Sequence, residues 1–155
     1  MRVWGVAWRA PIRGTPIALY TLSMSDISTA RTTPTMLVVD DERAILLAIK
    51  SYFSHHGYAV DCAQELEEAE ALMANLHYDV VIADLRLTGF HGTEGLEIVR
   101  SVRERYPRTS VILLTAYGSP EIEDAATRYG VSSFLQKPQP LAELAQVVFG
   151  VVGNA

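Results

Sequence analysis

From residue 35 onward, the hydrophobic positions follow two alternating spacings. Short runs of consecutive apolar residues, typical of buried strands, alternate with segments in which apolar residues recur about every 3.6 positions, typical of helices that bury one face. This combination occurs five times along the chain. It predicts strands at residues 36–39, 59–62, 110–114 and 132–135, and one more within residues 79–86, each followed by a helix.

The run within residues 79–86 is the most informative of the predicted strands. Its center, Val80-Val81-Ile82-Ala83, offers no polar position, which is typical of a central strand covered by helices on both faces. Strands that alternate with helices build a doubly wound parallel sheet with right-handed crossovers. We therefore expect an α/β fold with five parallel strands, in which the third strand delivers Asp84 to the carboxyl-terminal edge of the sheet.

Glycine, proline and serine positions predict where the helices begin and end. Gly57 and Gly130 are expected to end the first and fourth helices, and Pro107 the third. Ser119-Pro120 matches a helix start, with a capping hydroxyl before a proline in the first turn. The residues expected to face the core are Ile45, Ile49, Tyr52, Phe53, Leu66, Ala69, Met73, Leu76, Leu96, Val99, Val102, Tyr106, Leu141, Leu144 and Val148.

Residues 1–34 do not share this pattern. Two tryptophans, Pro11 and Pro16 follow no sustained period, and a stretch rich in serine and threonine comes after them. We predict a poorly ordered amino-terminal extension, residues 1–34, before one domain at residues 35–155. Such an extension fits a natural start at Met24, and a targeting or partner-binding arm is the alternative.

Composition narrows the class of protein. The 155 residues carry a formal net charge of −5 without a lysine- or arginine-rich run, which argues against a direct nucleic-acid partner. Apolar runs stay shorter than the roughly 20 residues that a membrane-spanning helix needs. The single cysteine, Cys62, fits a reducing compartment and the role of a small apolar strand residue. These features predict a soluble cytoplasmic protein with no membrane partner.

Polar side chains follow four of the five predicted strands. Asp40 and Asp41 follow the first strand, Asp84 ends the third, Thr115 follows the fourth and Lys137 lies just past the fifth. In a doubly wound sheet these strand ends form the ligand-binding edge. Crowded carboxylates repel each other unless a cation lies among them, and Mg²⁺ prefers such oxygen ligands. The pattern predicts a magnesium site with carboxylates from Asp41 and Asp84.

Lys137 and Thr115 supply what an anion needs opposite that metal. An ammonium group and a hydroxyl donor both suit phosphoryl oxygens. Lys137 and Mg²⁺ together would screen the negative charge that opposes attack of a carboxylate on phosphorus. We predict that Asp84 is a nucleophile that takes and loses a phosphoryl group. Taken singly, each residue has a simpler explanation, as a helix cap, a loop carboxylate, a strand-end hydroxyl or a surface lysine, so the prediction rests on their combination.

Four motifs carry a resemblance to a known family. They are Leu37-Val38-Val39-Asp40-Asp41-Glu42, Val81-Ile82-Ala83-Asp84-Leu85-Arg86-Leu87, Leu114-Thr115-Ala116-Tyr117-Gly118 and Phe134-Leu135-Gln136-Lys137-Pro138. Over about residues 35–150 the chain resembles the receiver domain of two-component response regulators. The resemblance implies the flavodoxin-like receiver fold with strand order 2-1-3-4-5, an order that hydrophobic periodicity does not provide.

The resemblance also implies roles for residues at the strand ends. Asp84 would accept phosphate as an aspartyl phosphate from a histidine kinase or a histidine phosphotransfer protein, and the chain would not be a multiple-turnover enzyme. Asp40, Asp41 and Asp84, with the main-chain carbonyl of Arg86, match the Mg²⁺ site. Lys137-Pro138 matches the family's lysine and its cis peptide bond, which is a conformation largely restricted to proline.

The remaining matches concern signalling. Thr115 matches the switch hydroxyl and Phe134 the aromatic residue that turns inward on activation, while Arg86 and Tyr117 hold two variable positions that tune phosphate hydrolysis. The signal would leave through the face made by the fourth helix, the fifth strand and the fifth helix, toward an unidentified protein target. A homodimer through the same face stays open. Candidate residues of this face are Tyr117, Ile122, Tyr129, Phe134 and Leu141.

Departures from the family pattern lie between the third strand and the third helix. Thr88 stands where the family has proline, and Phe90-His91-Gly92 stands where it has Met-Asp-Gly. The loop through Gly95 is also a few residues longer than usual. The phosphorylation residues are intact, whereas the shape of the loop and the lifetime of the phosphate are left open.

Three other functions fit parts of the sequence. A degenerate receiver would use the same fold only to bind proteins. The segment from Asp84 to Thr88 resembles the Asp-x-Asp-x-Thr signature of haloacid-dehalogenase phosphohydrolases, but Arg86 replaces the second aspartate and there is little room for a cap domain. A flavin site would need a phosphate-binding loop after the first strand, where Asp40-Asp41 would repel the phosphate.

Overall fold

The computed structural model describes residues 33–87 and 94–153. Residues 1–32 of the predicted extension at residues 1–34 lie outside the described residues. The departures from the family pattern at Thr88 and residues 90–92 also lie outside them. The five strands and five helices expected from the sequence are present and alternate along the chain. They are β1 (Thr35–Val39), α1 (Arg43–His55), β2 (Ala59–Ala63), α2 (Leu66–Asn75), β3 (Val80–Asp84), α3 (Glu94–Arg105), β4 (Ser110–Thr115), α4 (Pro120–Arg128), β5 (Ser133–Gln136) and α5 (Leu141–Gly153).

The strands form one parallel sheet in the order β2-β1-β3-β4-β5. Val39 at the end of β1 pairs with Ala83 of β3, and Asp84 at the end of β3 pairs with Leu114 of β4. The order is the one that the resemblance implied. Because all strands run the same way, the residues that follow them meet at a single edge of the sheet.

The sheet separates two apolar layers. Successive strand residues point to opposite faces, so Leu37 and Val81 pack toward α2 and α3, while Met36 and Ile82 pack toward α1 and α5. All five residues of β3 are buried, which confirms the prediction of a central strand covered on both faces. Residues at the tip of β3 therefore have a rigid base.

Most of the predicted helix ends are confirmed. Gly57 and Gly130 adopt φ angles of +84° and +86°, the left-handed region that favours glycine after a helix. At the start of α4, Ser119 Oγ accepts a hydrogen bond from the Ile122 amide at 3.4 Å, and Pro120 is the first helical residue. Among the described helices, none combines the length and the hydropathy required to cross a bilayer.

One predicted core position is wrong. Leu76 is 48% exposed, because α2 ends at Asn75 and the backbone of Leu76 is extended, with φ −129° and ψ 150°. Leu46 and Ile98, which directly adjoin predicted core positions, are instead buried. Cys62 lies half-buried in β2, as expected for a strand residue, and burial raises the pKa of its thiol.

Candidate functional site

Three carboxylates meet at the carboxyl-terminal edge of the sheet. Asp40 and Asp41 follow β1, Asp84 ends β3, and one carboxylate oxygen from each lies within 4.8 Å of the other two. Asp40 and Asp84 are 1% and 9% exposed, whereas Asp41 is open to solvent. Because β1 and β3 are direct neighbours, the crowding expected from the sequence is present in the structure.

Lys137 reaches this cluster from the end of β5. Its Nζ lies 2.6 Å from Asp40 Oδ2 and 3.1 Å from Asp84 Oδ2, so one ammonium group bridges two buried carboxylates. The Lys137 amide donates to the Thr115 carbonyl at 2.7 Å, which fixes the backbone of the lysine to the end of β4. The peptide bond from Lys137 to Pro138 is cis, as the resemblance implied.

The two neighbouring aspartates are held in different ways. Both carboxylate oxygens of Asp40 are engaged, because Oδ1 accepts from the Glu42 amide at 2.8 Å while Oδ2 contacts Lys137. Asp41 is held through its backbone, whose carbonyl accepts from Gln64 Nε2 at 3.3 Å, and its carboxylate faces solvent. Asp40 thus orients the lysine, and Asp41 offers the accessible carboxylate of the cluster.

Burial and charge oppose each other at Asp84. Burial raises the pKa of the Asp84 carboxyl, an effect that the hydrogen bonds from Lys137 and from the Arg86 amide partly offset. For Lys137, burial alone would lower the pKa, but the hydrogen bonds to Asp40 and Asp84 outweigh it, so the pKa of the lysine is raised. Lys137 is therefore positively charged where it contacts the carboxylates.

The start of α3 packs directly on the backbone of Asp84. A Cβ atom added to Gly95 would lie 2.6 Å from the Asp84 carbonyl oxygen and 2.7 Å from Leu85 Cα, so only glycine fits there. The Gly95 amide also donates to the Leu85 carbonyl at 3.1 Å. The expected loop extended through Gly95, whereas Gly95 is the second residue of α3. A glycine just inside a helix was the available signal for a close backbone contact.

Thr115 and Phe134 lie close together near the end of β4. Thr115 is buried at the end of β4, and its Oγ1 accepts from the Tyr117 amide at 3.1 Å. Phe134 is half-buried, with its ring against Gly118, where an added Cβ would come within 3.0 Å of Phe134 Cε1 and 3.4 Å of Thr115 Cγ2. The two residues matched to the family's switch therefore contact the same glycine position.

Arg86 and Tyr117 meet above the same edge. The Arg86 guanidinium carbon lies 5.4 Å from the center of the Tyr117 ring, within the range of a cation–π interaction. Tyr117 is 70% exposed. The structure thus joins the side chains at two positions that stand 31 residues apart in the sequence.

The site carries more negative than positive charge. Within the described part of the chain, Lys137 is the only cation that pairs with the three carboxylates, and it contacts Asp40 and Asp84. A divalent cation with oxygen ligands would balance the excess, and the open Asp41 carboxylate leaves it a way in. A buried carboxylate in contact with an ammonium group is suited to accept a group of phosphoryl type.

The family model for the response regulator receiver domain matches residues 36–149. The chain belongs to the response regulator receiver family. Regulatory protein AtoC of Escherichia coli K12 is 34% identical to this chain over 113 residues, which cover 73% of the chain and 24% of AtoC. The predicted family is confirmed, and with it a place in two-component signalling.

Solved structures support the same assignment. A response regulator from Thermotoga maritima superposes on this receiver domain with a TM-score of 0.71 at 30% identity, covering 79% of this chain and 99% of that one. The beryllofluoride-activated NtrC4 receiver domain dimer gives a TM-score of 0.71 at 27% identity, covering 77% and 97%. The chain spans between 24% and 54% of the length of the curated relatives that it matches.

Proposed function

We propose that this receiver domain accepts a phosphoryl group on Asp84 from a histidine kinase or a histidine phosphotransfer protein. The observation that carries the proposal is the contact of Lys137 with both Asp84 and Asp40 in a cluster of three carboxylates. In the transfer, a carboxylate oxygen of Asp84 forms a bond to phosphorus as the bond from phosphorus to the donor's imidazole nitrogen breaks. The imidazole nitrogen leaves with that electron pair.

The residues around Asp84 fit a magnesium ion. Oxygen ligands from Asp40, Asp41 and Asp84 lie within 4.8 Å of one another, and the main-chain carbonyl of Arg86 follows the nucleophile by two residues. When bound, Mg²⁺ would screen the negative charge on the phosphoryl oxygens. These four residues are therefore the proposed metal ligands.

The chain's own groups then stabilise the product. Lys137, which pairs with Asp84 before transfer, neutralises a phosphoryl oxygen afterward. The Thr115 hydroxyl, whose oxygen accepts from the Tyr117 amide, is drawn toward another phosphoryl oxygen and donates its proton to it. Phosphorylation thereby gives Thr115 an additional hydrogen bond, to a charged acceptor.

The movement of Thr115 alters the contact that it shares with Phe134. Because the Phe134 ring and the Thr115 methyl group both pack against Gly118, a shift of one changes the space open to the other. The signal then leaves through the face formed by α4, β5 and α5, where Tyr117 and Tyr129 are exposed. The same face is our candidate for contact with a downstream protein or with a second copy of the chain.

Labelling with acetyl phosphate and Mg²⁺ tests the proposal. Intact-mass analysis is expected to show one added phosphoryl group in the unmodified protein and none in Asp84→Asn. The matched control Asp79→Asn, at the opposite end of β3, should label normally. Loss of labelling on chelation of Mg²⁺ is expected as well.

Two results would replace this function. Absence of labelling in the unmodified protein would leave a receiver fold that only binds proteins. Repeated release of phosphate from p-nitrophenyl phosphate, at many turnovers per chain, would instead point to a phosphohydrolase. The proposed acceptor predicts the addition of one phosphoryl group per chain, its self-catalysed loss, and no sustained turnover of p-nitrophenyl phosphate.

A further inference from the structure

The turn between α4 and β5 is fastened to α3 by a single side chain. Arg103 Nε donates to the Gly130 carbonyl at 2.7 Å and Nη2 donates to Ser132 Oγ at 3.0 Å. Its Nη1 donates to the Pro107 carbonyl at 3.0 Å, at the end of its own helix. A planar guanidinium with several fixed donors is suited to such a three-way contact, and an ammonium group is not.

The acceptors of Arg103 are themselves held in place. Ser132 Oγ also accepts from the Val111 amide at 3.1 Å, and the Ser132 amide donates to the Val111 carbonyl at 2.7 Å. Gly130 has the left-handed φ of +86°, and a Cβ there would lie 3.3 Å from Arg103 Cδ. The carboxyl-terminal end of α4 is thus tied both to α3 and to β4.

The other end of α4 lacks a comparable attachment among the described residues. Its start is capped locally by Ser119, and Ala126 is the one fully buried residue of the helix. Gly118, just before the cap, contacts the Phe134 ring and the Thr115 methyl group rather than a fixed backbone. The two ends of α4 therefore differ in how firmly they are held.

We propose that Arg103 is a positioning residue that clamps the α4–β5 turn and makes the carboxyl-terminal end of α4 a fixed pivot. Movement of α4 is then confined to its amino-terminal end, next to Thr115. The clamp concerns the protein in any state, while the pivot rests on the proposed function, because it describes how the phosphorylation signal reaches α4. Arg103 touches none of the reacting groups.

Amide hydrogen exchange followed by NMR tests the clamp in the free protein. In Arg103→Gln, the Val131 and Val111 amides are expected to exchange about tenfold faster, as for loss of one charged hydrogen bond, with no change at Ile122. Arg103→Lys should restore part of the protection. Arg105→Gln, an exposed arginine on the same helix, is the matched control and should leave all three amides unchanged.

Equal exchange at Val131 and Val111 in Arg103→Gln and Arg105→Gln would overturn the clamp. If Arg103→Gln does not fold, Ser132→Ala removes one acceptor of Arg103 and is expected to speed exchange at Val131, whose amide donates to the Ala126 carbonyl and not to Ser132; unchanged exchange there would also overturn the clamp. A merely structural weakening would speed exchange at Ile122 as much as at Val131, and that outcome counts against the proposal too.

Beryllofluoride with Mg²⁺ tests the pivot. In the unmodified protein, the reagent is expected to alter exchange at Ile122 but not at Val131, and in Arg103→Gln the change should spread to Val131. An equally large change at both amides in the unmodified protein would overturn the pivot. Absence of any response in the unmodified protein would overturn the proposed function and the pivot with it, while the free-protein comparison still decides the clamp.

Discussion

The two edges of the sheet treat polar groups in opposite ways. At the carboxyl-terminal edge, three carboxylates crowd together, and the ammonium group of Lys137 pairs with two of them, Asp40 and Asp84. At the amino-terminal edge, side chains and backbone groups form matched pairs. Thr109 Oγ1 donates to the Tyr78 carbonyl at 2.7 Å, and Tyr106 OH donates to the Met73 carbonyl at 2.6 Å.

More pairs at the amino-terminal edge follow the same rule. Asp79 Oδ2 accepts from both the amide and the hydroxyl of Thr35, at 2.7 and 3.0 Å. Tyr78 OH donates to Asp61 Oδ2 at 2.9 Å; burial, and then this hydrogen bond, raise the pKa of Tyr78. Each polar group named here has a hydrogen-bond partner, so this edge stabilises the fold, and within the described residues the one cluster of three carboxylates lies at the opposite edge.

The contrast indicates that the carboxyl-terminal edge, with its crowded carboxylates, is the less stable of the two edges. Paired hydrogen bonds hold the amino-terminal edge together, whereas the carboxylates at the other edge carry excess negative charge and repel each other until a cation binds. Substitutions at the two edges should therefore differ in kind. Changes at one edge should affect stability alone, and changes at the other should alter stability and phosphorylation together.

The largest effect is expected for Lys137→Met. The substitution leaves buried Asp40 and Asp84 without their cation, and breaking a buried ion pair in this way costs about 3 kcal/mol. The free energy of unfolding, measured by urea denaturation, should fall by that amount, and added Mg²⁺ should restore part of it. Lys50→Met, at an exposed position on α1, is the control and should change little. Equal stability of the two variants would contradict the charge balance described above.

Gly95→Ala should have the next largest effect. Its new Cβ would collide with the Asp84 carbonyl at 2.6 Å, so α3 must shift away from Asp84, at a cost of about 2 kcal/mol. Labelling by acetyl phosphate should slow as well. Gly150→Ala in α5, with open space around its Cβ, serves as control and should be neutral or stabilising by up to about 1 kcal/mol. Normal labelling of Gly95→Ala would show that its packing does not position Asp84.

Tyr106→Phe probes the opposite edge. Loss of the hydroxyl that donates to the Met73 carbonyl should lower the free energy of unfolding by about 1 kcal/mol. The rate of labelling by acetyl phosphate should equal that of the unmodified protein, because Tyr106 lies at the far end of the strands from Asp84. A labelling defect as large as the loss of stability would remove the distinction between the edges.

The smallest effect is expected for Asp84→Asn in the absence of metal, which should slightly raise the free energy of unfolding at neutral pH. The pKa of Asp84 is raised on folding, so ionisation costs the folded state free energy above that pKa. The cost vanishes once the carboxyl is protonated in both states, below the ordinary Asp pKa of about 3.9. The difference in the free energy of unfolding between Asp84→Asn and the unmodified protein should therefore shrink as pH falls from 7 toward 4. Denaturation of both proteins at each pH measures it. A stability difference that grows on acidification would show that folding does not raise the pKa of Asp84.

The hydrophobic pattern predicted the layout of the fold because each strand and helix buries a face of its own. The run from Val80 to Ala83 has no polar position, and it is buried on both sides. Leu76 is a position at which the hydrophobic pattern alone gives a wrong prediction. It continues the period of α2, but the chain turns into extended backbone at Leu76 with neither glycine nor proline to announce it.

The charged center was also predictable in outline, since parallel strands bring their ends to one edge. Contacts between distant segments were not. That Lys137 bridges Asp40 and Asp84, or that Arg103 reaches Gly130, depends on distances that no local spacing encodes. The order of the strands came from the family resemblance, because periodicity is the same for every order.

Asp40 has a consequence for how the domain opens. One oxygen of this residue holds the backbone at the start of the first helix, and the other holds Lys137, 97 positions away at the end of the last strand. Unfolding of the segment around Glu42 or of the segment around Lys137 would thus break one of the two contacts that hold the Asp40 carboxylate. Local opening of either segment should therefore also disrupt the proposed phosphorylation site, so a partly unfolded domain is expected not to be phosphorylated.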